Sequence, residues 1–326
     1  MLGLSIIIII IIGGYTRISD SGLSITEWDP ITGILFPLSE EAWIDEFTKY
    51  KLTDEFRLIN NNMILSDFKF IYFWEWFHRF FARLIGAIFI IPLIFFIYQK
   101  KLSKKFYFHV YLIGFLLMMQ AIIGWYMVKS GLVDRVDVSH YRLSVHLINA
   151  FLILGIIIFT LVSYYPRLID PNVGFNKNIL IIFSLLLFFQ IFYGAFVSGT
   201  HSGLMYNTWP DYNNKFIPDN INELSPFFIN ILENKNFILF FHRSFAYVLL
   251  ITLIILNIKM IKIGISKNTM ILLVILNSSF LIQIILGVLM TFNNIPWHTA
   301  LAHQGNSIIM FSIAIFFLSQ SLIKTK

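Results

Sequence analysis

The sequence contains no cysteine. Disulfides, thiolate metal ligands, thiol nucleophiles and Cys-held iron–sulfur clusters are therefore excluded. Charge is scarce too. Only 13% of the 326 residues are Asp, Glu, Lys or Arg, about half of what an ordinary soluble domain carries. Apolar residues supply 57% of the chain, and Phe alone fills 35 positions. A water-soluble body of this size cannot hide so much apolar side chain, so lipid must be the solvent for much of its surface. The net charge of +6 comes in short lysine clusters between apolar runs. That pattern suits a membrane-topology signal better than a nucleic-acid footprint, and no nucleic-acid partner is expected.

Eight apolar stretches are predicted to be membrane helices, at about 1–17, 75–98, 108–128, 141–164, 178–199, 236–257, 269–291 and 299–320. Most reach the length needed to cross about 30 Å of hydrocarbon. The shortest is the opening run, Leu4–Ile12. It ends at Gly13-Gly14-Tyr15-Thr16-Arg17 with no small-residue cleavage site, so it is expected to stay as a span. Lysine and arginine gather after alternate spans: Lys100, Lys101, Lys104 and Lys105; Arg167 and Lys177; Lys259, Lys262 and Lys267; Lys324 and Lys326. The positive-inside rule makes that side, and both termini, cytoplasmic. The other side receives a long loop, 18–74, rich in Glu and Asp and expected to fold as a cap.

The chain also repeats itself weakly. Gln120-Ala-Ile-Ile-Gly124 is echoed by Gln283-Ile-Ile-Leu-Gly287, and His78-Arg79 by His242-Arg243. The stretch from Gly14 to Gly22, with Trp28-Asp29-Pro30, has a partial echo in Gly194 to Gly203 with Trp209-Pro210. The expectation is an all-α polytopic membrane protein whose eight helices form two pseudo-symmetric four-helix bundles. These are an N-terminal half, 1–164, and a C-terminal half, 178–320, related as a parallel repeat.

Histidine is rare in membrane helices and usually functional there. His78, His146, His242 and His303 fall near the non-cytoplasmic ends of spans 2, 4, 6 and 8. The separations are 68 and 61 residues, each carrying the chain out through one helix pair and back to the same depth. Two imidazoles facing across a bundle are a common grip on haem iron. Any one of them alone is satisfied by an interhelical hydrogen bond; a matched set of four is harder to explain that way. Zinc is an alternative, although no third ligand near either pair stands out. Arg79, Arg83, Arg142 and Arg243 stand beside these histidines and suit haem propionates. Snorkelling at the interface explains any one of them equally. Lys129 and Arg135 are weaker candidates of the same kind. His140 and His298 read as interfacial, His201 falls in a loop, and His109 reads as structural. Trp28, Trp76, Trp125, Trp209 and Trp297 read as an interfacial belt.

Glu75 lies three residues before His78, one helical turn away on the same side. A carboxylate there can take a proton, orient water or stabilise a cation at the edge of a bound macrocycle. The alternative is an interfacial acid paired with Arg79. The equivalent place in the second half is Leu239, so one site carries an acid and the other does not.

With these residues assembled, the chain resembles the haem A synthase family from end to end. The resemblance rests on Gly14-Tyr-Thr-Arg-Ile-Ser-Asp-Ser-Gly-Leu-Ser-Ile-Thr-Glu-Trp28, Phe73-Trp-Glu-Trp-Phe-His-Arg79, Gly124-Trp-Tyr-Met-Val-Lys-Ser-Gly-Leu132 and Ser139-His-Tyr-Arg-Leu-Ser-Val-His146. It continues through Gly194-Ala-Phe-Val-Ser-Gly-Thr-His-Ser-Gly-Leu-Met-Tyr-Asn-Thr-Trp-Pro210, Phe241-His-Arg-Ser-Phe-Ala-Tyr247 and Leu301-Ala-His-Gln304. The resemblance implies oxidation of the C8 methyl of haem O to a formyl group, giving haem A. It implies substrate haem O on His78 and His146, with Glu75 as the reacting carboxylate, and a haem b cofactor on His242 and His303. It also implies the inner membrane, haem sites toward the periplasm, a haem O synthase as donor and the cytochrome oxidase assembly machinery as acceptor. Some members carry a cysteine pair in the first loop; this chain is of the cysteine-free type, which leaves the electron acceptor open.

Three rival classes make distinct demands. A quinol-linked electron-transfer subunit needs the four histidines but no Glu75. A transporter needs charged or broken helices at mid-membrane, whereas the polar residues here cluster at one end. A purely structural assembly factor for the oxidase needs no turnover.

Overall fold

A computed structural model describes residues 1–29, 32–132, 136–165 and 177–323. Pro30, Arg135, Arg167, Lys324 and Lys326 lie outside the described residues. Those described are helical and irregular, with no strand among them. The chain divides into two compact units, Met1–Ala150 and Phe151–Lys326.

The first unit holds α1 (Leu2–Ile18), α2 (Glu40–Tyr50), α3 (Asp54–Leu58), α4 (Leu65–Tyr98), α5 (Tyr107–Gly131) and the first turns of α6 (His140–Tyr164). Helix α4 begins ten residues before the predicted span. Its 34 residues rise about 51 Å at about 1.5 Å each, well beyond a hydrocarbon core of roughly 30 Å. The extra turns carry the cap. Helix α2 places Trp43, Phe47 and Tyr50 on one stripe, and these pack on Phe68, Ile71 and Tyr72 of α4, together with Ile25. Phe47 and Tyr50 both stack on Phe68, with centroids 4.9 and 5.2 Å away. Each cap helix starts where its sequence says it should. Ser39 Oγ accepts the Ala42 N–H, and Thr53 Oγ1 accepts the Phe56 N–H. Lys49 ties the cap together through Glu27, Asp45 and Glu46.

The second unit holds the rest of α6, then α7 (Lys177–Gly199), α8 (Phe228–Glu233), α9 (Lys235–Ile263), α10 (Lys267–Phe292) and α11 (Trp297–Leu322). Asn257 and Asn277 exchange amide hydrogen bonds of 2.9 and 2.8 Å between α9 and α10, polar glue suited to apolar surroundings. The segment between α7 and α9 is held by Asn230 and Asn234, both buried. Asn230 spans the Leu224 N–H and carbonyl, and Asn234 reaches the Asn220 carbonyl.

Seven helices among the described residues are long and apolar enough to cross a membrane: α4, α5, α6, α7, α9, α10 and α11. Helix α1 is apolar too, at 17 residues. The protein is a multi-pass, all-helical membrane protein.

Candidate functional site

Glu75 is 3% exposed, and three donors converge on it. Ser24 Oγ lies 2.7 Å and the Ile25 N–H 2.8 Å from Oε2. Arg79 Nη2 lies 2.6 Å from Oε1. A buried carboxylate needs such company, since an unpaired charge out of water is costly. Two of the donors come from the stretch after α1 and the third from α4, one turn along. The interfacial pairing of Glu75 with Arg79 therefore exists, but as part of a cage. Leu239, the counterpart on α9, is buried and apolar.

Each of the four histidines rests its ring on a glycine of a neighbouring helix. A Cβ added at Gly13 of α1 would lie 3.2 Å from the His78 ring of α4; at Gly124 of α5, 3.0 Å from the His146 ring of α6. In the second unit the same seats occur at Gly194 of α7 for His242 of α9, at 3.2 Å, and Gly287 of α10 for His303 of α11, at 3.5 Å. At Gly13, Gly124 and Gly194 a side chain would crowd the imidazole, whereas at Gly287 it would be in ordinary contact.

The His78 and His146 ring centroids are 6.5 Å apart. Two metal–nitrogen bonds of about 2 Å each, plus half of each ring, come to roughly 6 Å, so the pair suits one metal between them. One ring nitrogen of each of His146, His242 and His303 is buried without a hydrogen bond. These orphaned atoms are the Nδ1 atoms, which carry the ring proton when Nε2 is the nitrogen given to a metal. Haem iron fits these seats. A zinc site fits less well, because no group of three or more His, Cys, Asp or Glu placed for a metal occurs among the described residues.

The arginines are busy with main chain. Arg79 donates to the carbonyls of Ile25 at 3.1 Å and Glu27 at 2.9 Å, Arg83 to that of Asp29 at 2.7 Å. Arg243 donates to the Thr208 carbonyl at 3.0 Å and to Thr291 Oγ1 at 3.2 Å. In each unit an arginine beside a histidine staples the preceding loop to its helix. Arg142 donates to the Tyr126 hydroxyl at 3.2 Å and lies over that ring. Beside Arg79 opens a cavity of about 430 Å³, lined by Ile25–Trp28, Trp125, Val128, Lys129 and Leu132. Lys129 lies over the Trp125 ring. His140 opens α6 and is buried, whereas His298 is exposed near the start of α11. His201 sits in a left-handed turn after α7.

The family of cytochrome oxidase assembly proteins matches residues 1–315. The chain belongs to that family. Among its relatives in it is the "Heme A synthase" of Wolbachia pipientis wMel, 40% identical over 96% of this chain and 88% of its own. That of Pelagibacter ubique is 39% identical over 94% of this chain and 90% of its own. That of Rhizobium rhizogenes is 36% identical over 96% and 85%.

Reading the sequence for charge and histidine overlooked several members of the site. Ser24 and the Ile25 N–H carry no sequence signal, because a backbone donor looks like any other. Gly13-Gly14 and Gly194 were legible as points of close helix contact, and Gly13 and Gly194 are the residues that meet His78 and His242. Gln190, Asn149 and Asn306 had a readable signal: Gln-x-x-x-Gly occurs three times, ending at Gly124, Gly194 and Gly287, and His-x-x-Asn twice, at His146 and His303. Gln120 takes an amide bond from Asn149, and Gln283 one from Asn306, both at 2.7 Å.

Proposed function

We propose that this protein is a haem A synthase that oxidises the C8 methyl of haem O to a formyl group. The observation that carries the reading is the caged Glu75, one turn from His78, with Leu239 in the same place on α9. A pair of electron-transfer haems needs no such asymmetry.

In this reading His78 and His146 hold the substrate, and His242 and His303 hold haem b. When bound, haem b supplies one-electron redox chemistry. Conversion of a methyl to a formyl with oxygen from one water releases four protons and passes four electrons to an acceptor outside the chain, so a proton acceptor at the methyl is required. Glu75 is that acceptor. Ser24, the Ile25 N–H and Arg79 fix its position, so its charge is in place before positive charge develops on the macrocycle edge. Two histidines on the substrate iron disfavour oxygen binding there, which favours stepwise electron and proton removal over hydroxylation at the iron. Arg83 and Arg142, with Lys129 at the neighbouring cavity, are the cations nearest to hand for substrate propionates. Arg79 and Arg243 serve first as loop staples.

The wider setting follows from the same reading. All eight apolar helices span the inner membrane as two four-helix halves, 1–164 and 178–320. The lysine-rich turns face the cytoplasm and the haem sites the periplasm. A haem O synthase supplies the substrate, and the oxidase assembly machinery takes the product.

Haem extraction and chromatography after expression with a haem O supply tests the proposal. Wild type accumulates haem A, while Glu75→Gln accumulates haem O or a partly oxidised haem. Unchanged haem O in wild type, with haem b bound normally, would overturn the synthase reading in favour of electron transfer.

A further inference from the structure

In three of the four imidazole seats a glutamine stands one turn before the glycine; the seat of His78 has Ile9 instead. Two of these amides make the same backbone contact. Gln120 Nε2 donates to the His146 carbonyl at 3.1 Å, and Gln190 Nε2 to the His242 carbonyl at 3.0 Å. Gln120 alone also reaches a ring: its Nε2 lies 3.2 Å from Nε2 of His146. The amide's orientation is fixed, because its Oε1 accepts from Asn149 Nδ2 at 2.7 Å, and Asn149 also donates to the Leu116 carbonyl at 3.0 Å. The NH2 group of Gln120 therefore faces His146, with one proton for the carbonyl and one for the ring. A donor can meet only the unprotonated ring nitrogen, and the lone pair it meets is the one an iron would take.

We propose that Gln120 makes the haem on His78 and His146 exchangeable, by hydrogen-bonding the His146 lone pair in competition with iron. This rests on the reading that this pair carries the substrate. A substrate must leave as product, whereas a cofactor must stay. The second unit is built accordingly. Among the described residues no side-chain amide donates to the ring of His242 or His303; Gln190 stops at the carbonyl, and Gln283 accepts from Asn306. Gln120 is a positioning residue, acting on the iron through His146.

The test uses the full chain in lipid nanodiscs, loaded with haem b and mixed with excess apomyoglobin, with transfer followed in the Soret band. Wild type releases haem in two phases, and the fast one is absent from His146→Ala. Gln120→Leu slows the fast phase about tenfold, equivalent to about 1.4 kcal/mol, the scale of one hydrogen bond. Gln190→Leu, which loses the same backbone contact but no ring contact, leaves both phases unchanged. Asn149→Ala keeps the amide but frees it, slows the fast phase a few-fold, and carries the test if Gln120→Leu does not fold. A fast phase unchanged or accelerated in Gln120→Leu and Asn149→Ala overturns the proposal, leaving the amide a helix staple. Binding of only one haem per chain in wild type overturns the two-site reading and this inference with it; the haem count separates the two failures.

Discussion

The two units set the same pair of glycine-seated histidines in different company. In Met1–Ala150 the first histidine is followed one turn back by a caged acid, the second is touched by an amide, and the loop above is held by ions. In Phe151–Lys326 the acid is Leu239, no side-chain amide donates to either ring among the described residues, and the loop is held by Arg243 and by the neutral amides of Asn230 and Asn234. Under the proposed function, shared geometry marks what both sites do, which is grip a haem between helices. The differences mark what only one does.

The largest effect is expected from erasing the asymmetry. Glu75→Leu gives the first unit the second unit's residue, and turnover to haem A should fall about 10²–10⁴-fold while two haems still bind, as read by chromatography and the pyridine haemochrome. Retained turnover would break the comparison at its centre.

The next effect concerns the staples. Arg79→Met leaves Glu75 buried without its countercharge, at a cost of about 3–5 kcal/mol. Arg243→Met removes bonds to two carbonyls and a hydroxyl and a contact with the Tyr212 ring, but leaves no buried acid behind, at about 1–3 kcal/mol. Thermal inactivation of the two variants in one detergent should show Arg79→Met failing first.

A smaller effect ranks the seats themselves. At Gly124 a methyl would meet the His146 ring at 3.0 Å, with that ring pinned by Gln120, whereas at Gly287 the gap is 3.5 Å. Gly124→Ala should cost about 1–3 kcal/mol of overpacking and shift the low-spin haem spectrum. Gly287→Ala should leave that spectrum in place.

The smallest effect, per pH unit, lies in the cap. Glu55 is buried with one oxygen unpartnered, and burial followed by the negative charge of Glu75 pushes its carboxyl up to about 8. Asp20 and Asp137 add to the push, and the Tyr50 phenol opposes it. An opened cap would ionise Glu55 from its ordinary 4.5 upward, whereas the closed cap holds the proton. Closure therefore weakens as pH rises between those values, by about 1.4 kcal/mol per unit, and levels off above the upper one. Limited proteolysis of 40–64 should quicken from pH 6 to 8 in wild type and stay flat in Glu55→Gln. The segment held by Asn230 and Asn234 should not respond.

Much of this was legible in the sequence. The apolar runs located seven membrane-length helices and a shorter eighth, because lipid admits no other composition. The four histidines stood out in the sequence, and Glu75 against Leu239 announced the asymmetry; the glycine under each ring is what the structure adds. Less legible was the use of arginine. Arg79, Arg83 and Arg243 read as propionate binders, yet each donates to main-chain carbonyls. A guanidinium serves carbonyl and carboxylate alike, and only the path of the loop decides which it meets.

By itself the sequence determined the solvent, the helices, the four imidazoles and the single acid, because hydropathy, periodicity and residue chemistry are local properties. The tertiary structure alone decided that Ser24 and the Ile25 N–H close on Glu75, that α4 starts ten residues before the expected span to carry the cap, and that one of three equivalent glutamines touches a ring. Those outcomes depend on where two distant stretches of chain cross, and differences of an ångström at a crossing leave no mark in composition or spacing.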